Sequence, residues 1–102
     1  MMSEDKAKPL PATSAKVGYT ISFDEGTFRF VKPKLADLDR YLAKVSRSAA
    51  TAGRQFTTQL CVPEDRERWI ALLDVAPGRA TPVVDTIMED MGFMGEAVVL
   101  PN

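Results

Sequence analysis

Tyr19-Thr20-Ile21-Ser22-Phe23-Asp24-Glu25-Gly26-Thr27-Phe28-Arg29-Phe30-Val31-Lys32-Pro33 is the stretch that decides the fold of this 102-residue chain. Large residues alternate with small polar ones from Tyr19 to Phe23, and Phe28 and Phe30 repeat the alternation from Thr27 to Val31. A period of two places every second side chain on one face, so each segment reads as a strand with one buried side. Asp24-Glu25-Gly26 between them predicts a hairpin with a three-residue loop, whose last position takes a left-handed backbone that glycine adopts without a Cβ clash. Lys32-Pro33 closes the second strand, because proline has no amide hydrogen for a ladder. A lone hairpin is barely stable in water. Its face of Tyr19, Ile21, Phe23, Phe28 and Phe30 must therefore rest on helices.

Those helices are expected downstream. Leu35, Leu38, Leu42 and Val45 fall three, four and three apart, with Tyr41 beside them, and predict an amphipathic helix from about Leu35 to Ser48. Ser46 to Gly53 is a run of small residues in which that helix frays, with Gly53 as a terminator. Arg54 to Val62 reads two ways: Phe56, Leu60 and Cys61 form a helical face, whereas Thr57-Thr58 and the nearby Pro63 suit a short extended piece. A helix from Pro63 to Val75 is better marked, since proline fits the first helical position and Glu64-Asp65 favour the positive end of the helix dipole. Ala76-Pro77-Gly78-Arg79 is a turn. Thr81 then reads as a cap with Pro82 at the first position of a helix to about Met91, stopped by Gly92. The fold class is α+β: an N-terminal β-hairpin packed against three or four short α-helices.

Upstream, residues 1–18 are polar, carry two prolines and have no period, which predicts a flexible N-terminal tail before a single α+β domain at 19–102. No run approaches the roughly 18 to 20 apolar residues of a membrane span, and residues 1–18 contain no apolar core of a secretory signal. The expected location is the cytoplasm, with no membrane partner.

The chain has no histidine and one cysteine, Cys61, at a formal charge of −1. Histidine-based general bases, Ser-His-Asp and Cys-His nucleophiles and Cys/His zinc sites are all excluded. Cys61 lies between Leu60 and Val62 and reads as a buried structural thiol. Asp85, Glu89 and Asp90 lack the spaced acidic loop of a calcium or magnesium site and read as a solvated face. No catalytic, cofactor-binding or metal-ligating residue is expected. The near-neutral total hides polarity along the chain. Lys32, Lys34, Arg40, Lys44, Arg47 and Arg54 against Asp37 and Asp39 leave residues 32–54 at +4, while from Glu64 onward three arginines against eight carboxylates leave −5. Such a distribution suits solvated helices or head-to-tail self-association into a homo-oligomer. A helix-turn-helix built from the last two helices would present Asp85, Glu89 and Asp90 to DNA, so that reading fails. A small nucleic-acid-associated regulator using the basic 32–54 surface is the alternative function, though the segment has a single aromatic, Tyr41, and nucleic acid is not the expected partner.

Three of the five methionines, Met88, Met91 and Met94, cluster near the C-terminus with Phe93, Val98, Val99 and Leu100. Methionine is flexible and polarisable, and surfaces that adapt to apolar partners use it heavily. Met88 and Met91 suit gap-filling in a small core. A short apolar terminal run must dock on its own domain or be covered by a partner. Met91, Phe93, Met94, Val98 and Leu100 are the candidate partner-binding residues.

The order of these features is similar to that of a known family. A polar tail, a hairpin ending in Phe28-Arg29-Phe30-Val31-Lys32-Pro33, a helix bearing Leu38-Asp39-Arg40-Tyr41-Leu42 and acidic helices around Pro63-Glu64-Asp65-Arg66 resemble the small tail assembly chaperones of long-tailed bacteriophages and prophages, over Tyr19 to Leu100. The resemblance implies a non-enzymatic protein with no cofactor. Its partner would be the tape measure protein or another tail protein, held soluble in the bacterial host until tail tube subunits polymerise.

Overall fold

The computed structural model describes residues 9–93, 95, 97 and 99–101. Strands β1 (Tyr19–Phe23) and β2 (Gly26–Phe30) pair antiparallel, with Tyr19 opposite Phe30 and Ile21 opposite Phe28. Both members of each pair point to the same face, as the alternation requires. The turn is one residue shorter than expected: Asp24 and Glu25 form it, and Gly26 already pairs with Phe23. Gly26 keeps the positive φ, 150°, that made glycine the natural choice.

Among the described residues four helices follow: α1 (Leu35–Val45), α2 (Ala49–Leu60), α3 (Pro63–Val75) and α4 (Ala80–Asp90), with a 3₁₀ turn at Pro77–Arg79 before the last. The first boundary is corrected by the small-residue run. α1 stops at Val45, and Ser48 starts a new helix by accepting the Thr51 amide on its Oγ at 3.3 Å. Gly53 is not a terminator but lies buried inside α2, where a Cβ would stand 3.8 Å from both Ala80 Cβ and Val84 Cγ2. That is ordinary van der Waals distance, so α2 and α4 pack there with room for a methyl group. Residues 54–60 are therefore helical, and only Cys61-Val62 is extended. That pair adds a third, minimal rung to the sheet: Val31 N donates to Leu60 O at 2.8 Å and Val62 N to Arg29 O at 2.9 Å. Thr81 is likewise no cap, since α4 opens at Ala80 directly from the 3₁₀ turn and Pro82 sits in its first turn, where a missing amide hydrogen costs nothing.

The core is centred on Trp69, which is fully buried. Phe28 and Phe30 meet its ring edge-on at centroid distances of 5.2 and 5.1 Å, and Phe23 stacks on it at 6.1 Å. The hairpin face thus rests on α3, which adds Leu73, with Leu60 of α2 and Val83 and Ile87 of α4 closing the core from the other helices. The indole Nε1 donates to Thr57 Oγ1 at 3.1 Å, and that hydroxyl donates in turn to Gly53 O at 2.8 Å. The chain pairs both buried polar groups within one short relay. On α1 the expected four-residue stripe divides. Leu38 is buried and Tyr41 packs its ring on Phe56 at 4.7 Å, whereas Leu35 and Leu42 are exposed. α1 rests chiefly on α2, so only a narrow edge of it is covered.

Candidate protein-binding surface

Three polar clusters and one exposed apolar end distinguish the surface. The first cluster lies at the start of α3. Asp65 has no exposed surface and accepts from Arg29 N at 2.9 Å, Arg29 Nε at 2.8 Å and Arg29 Nη2 at 2.8 Å, with Arg68 Nη2 at 3.0 Å. Burial works to raise its carboxyl, but the hydrogen bonds and charges of Arg29 and Arg68 outweigh it and hold the group below the usual carboxylate range. Arg68 also stacks over the Phe28 ring at 4.9 Å. The Asp65 carboxylate takes the β2 amide that a third strand would otherwise satisfy, so the cluster joins hairpin to helix. Sequence reading assigned Asp65 only to the helix dipole. Nothing in its neighbourhood along the chain foretells that Arg29, 36 residues away, folds over it.

Beside this cluster, Cys61 is buried and its thiol is pushed up to about 12, first by burial and then by the nearby Asp65 charge. It is an inert packing residue.

The second cluster ties the hairpin to the end of α4. Tyr19 Oη donates to Asp90 Oδ2 at 2.6 Å and Lys32 Nζ lies 3.6 Å from the same oxygen. Burial, followed by the Asp90 hydrogen bond, raises the Tyr19 hydroxyl to about 12, and the same bond lowers Asp90. Each member of this clasp is flanked, within three positions along the chain, by an exposed apolar residue: Tyr19 by Val17, Lys32 by Leu35 (73% exposed) and Asp90 by Phe93 (53% exposed), and the clasp ties the three segments that carry them. Among the sequence-predicted binding residues, Met91 is partly buried against the core, Phe93 belongs to this exposed end and Leu100 is exposed farther along. Met94 and Val98 lie outside the described residues. Leu35 and Val17 were not among the predicted binding residues. Leu35 was assigned to the buried stripe, and only the narrowness of the α1 contact frees it.

The third cluster is the basic segment 32–54. Arg54 pairs with Asp74 at 2.8 Å, Lys32 with Asp90, and Arg40 with Asp37 at 3.8 Å, so part of the +4 is offset within the fold. Arg40 Nη1 also donates to Gln59 Oε1 at 2.9 Å and Lys44 Nζ to Gln55 Oε1, along a groove of about 250 Å³ between α1 and α2. Among the described residues, no three carboxylate, cysteine or histidine side chains gather as a metal site, and no helix is long and apolar enough to cross a membrane.

N-terminal to β1, described residues touch the domain. The Gly18 amide donates to Phe30 O at 2.8 Å, and Thr13 hydrogen-bonds the Glu64 carboxylate, which lowers that group.

A hairpin whose aromatic face rests on α3, backed by three further short helices, defines a small α+β domain. The chain belongs to the family described as the domain of unknown function DUF6848, whose model matches residues 16–99. No curated protein matches the sequence. Among solved structures, an uncharacterised protein from Bacillus stearothermophilus, rbstp2171, has a similar fold. Its TM-score is 0.74 at 23% identity, over 80% of this chain and 88% of that one.

Proposed function

We propose that this protein is a non-enzymatic tail assembly chaperone of a phage or prophage, which binds apolar helical segments of the tape measure protein in the host cytoplasm. The observation that carries the reading is that Val17, Leu35 and Phe93, all exposed, lie on the three segments that the Tyr19–Asp90–Lys32 clasp ties into one apolar end. Exposed large apolar side chains on segments held by a polar tie suit a surface that holds an amphipathic helix while charged rims keep the complex in solution. The resemblance of the hairpin and acidic helices to that chaperone family supplies the partner's identity. The clasp bonds hairpin and α4 directly, so the apolar end is presented on a preformed surface.

Co-expression tests the reading. A tape measure protein from the same genome is expected to be recovered soluble, and to co-purify, only in the presence of this chain. Indifference of both readouts refutes it. A nucleic-acid role for residues 32–54 is less well supported, because Lys32 and Arg54 are engaged with Asp90 and Asp74 and the segment carries a single aromatic, Tyr41.

A further inference from the structure

We infer that the Arg40–Lys44 face of α1 docks on the Asp85–Glu89 face of α4 of a second copy, giving head-to-tail assembly of this chain. Arg40 and Lys44 are exposed and four residues apart, so they stand one helical turn from each other on one edge of α1. Asp85 and Glu89 are exposed at the same four-residue spacing on α4. Each pair therefore presents two like charges about 6 Å apart on a helix. Like charges at that spacing repel slightly along their own helix, a cost that a partner of opposite charge would relieve. Brought together, the two rods match charge for charge at equal spacing.

Both faces retain capacity for such a contact. Within the chain, Arg40 and Lys44 donate to the neutral amide oxygens of Gln59 and Gln55, and the carboxylate facing them is Asp37, 3.8 Å from Arg40. Asp37 is itself occupied, accepting from Lys34 N at 2.9 Å and Gln59 Nε2 at 3.3 Å. Among the described residues, neither Asp85 nor Glu89 forms an ion pair, unlike Asp90 beside them. The two faces border different grooves: Arg40 and Lys44 line the one between α1 and α2, and Asp85 lines another with Ala49, Ala50, Gly53 and Thr81. Tyr41 stands between the grooves and lines both. A contact between two different faces is heterologous, so it leaves one face of each kind free at the ends and continues into a row of copies unless the rotation closes a ring. Such a row is independent of what the apolar end binds.

Sedimentation equilibrium of the full chain, across a concentration series at low and high salt, reads the assembly. At low salt the weight-average mass is expected to rise above 11.2 kDa with concentration, and to return toward it at high salt as the exposed pairs are screened. Two charge-reversed variants make the test specific: Arg40→Glu with Lys44→Glu, and Asp85→Lys with Glu89→Lys. Each alone is expected to associate at least about tenfold more weakly than the wild type. Mixed together, they re-form complexes, because the reversed faces complement each other. Circular dichroism of each variant establishes that it is folded; where a double variant fails to fold, the Lys44→Ala and Glu89→Ala forms take its place, both with weakened association expected. A wild-type chain that stays at 11.2 kDa at every concentration in low salt overturns the inference. So does association unaffected by the substitutions, or a gel shift in which Arg40 and Lys44 carry binding of duplex DNA to a monomer.

Discussion

Replacing Asp65 by asparagine removes one charge and almost no volume from a buried, heavily bonded side chain. In the native fold the carboxylate accepts three hydrogen bonds from Arg29 at 2.8 to 2.9 Å and a fourth from Arg68 at 3.0 Å, with no surface of its own exposed. An asparagine offers one oxygen and turns an NH₂ group toward guanidinium donors. Removing one partner of a buried ion pair costs roughly 3 to 5 kcal/mol, since the remaining charge stays desolvated. Arg29 is only 11% exposed, but Arg68 is 44% exposed and rehydrates, which places the expected loss near the lower bound, about 3 kcal/mol. For a domain whose total stability is on the order of 5 to 15 kcal/mol, this is a large fraction. Trp69, the single tryptophan, sits in the core next to β2 and reports urea unfolding by fluorescence. The Asp65→Asn midpoint is expected to fall by more than about 1 M urea. The pH dependence has a fixed sign. A carboxyl lowered in the folded state contributes stability that is present above its unfolded value, near about 4, and is lost as pH falls through the folded value. The gap between wild type and variant is therefore full at neutral pH and closes in acid below about pH 4. A loss under about 1 kcal/mol at pH 7, the range of an exposed pair, refutes the assignment of Asp65 as the tie between hairpin and α3.

Other substitutions follow from the same geometry. Thr57→Val strands the buried indole N–H of Trp69 and is expected to cost about 1 to 3 kcal/mol in the same unfolding assay. Gly53→Ala should instead stabilise α2 by about 0.5 to 1 kcal/mol, because the added Cβ meets Ala80 and Val84 at ordinary contact distance, 3.8 Å. Gly18→Ala has the opposite sign: its Cβ would fall 2.5 Å from Lys32 Cγ and 2.9 Å from Lys32 N, so thermal melting should occur at a lower temperature than in the wild type. Arg54→Ala, which removes the exposed pair with Asp74, should change stability by less than about 1 kcal/mol.

The elements that were legible in the sequence are those with local determinants. Strand alternation, Pro33, and the proline and acids that open α3 act within a few residues of themselves, and the hairpin and α3 stand where those signals put them. α2 was obscured because its signals are tertiary. Gly53 reads as a stop until Ala80 and Val84 come up against it, and Thr57 reads as a strand former until Trp69 supplies a donor. Leu35 was assigned to the core on spacing alone, although spacing identifies a face and not how much of that face a neighbour covers. The candidate surface was legible in the same partial way. The apolar C-terminal run pointed to Phe93, whereas Val17 and Leu35 joined it only when the Tyr19–Asp90 clasp brought three distant parts of the chain to one end.

That end is the centre of the functional account, and its residues are exposed enough to change without touching the core. The direct measurement is retention of a tape measure protein from the same genome on the immobilised full chain, comparing wild type with Leu35→Glu/Phe93→Glu, both shown to be folded by circular dichroism. The account predicts that wild type retains the partner and the double variant does not. Equal retention by the two, or none by either, contradicts it.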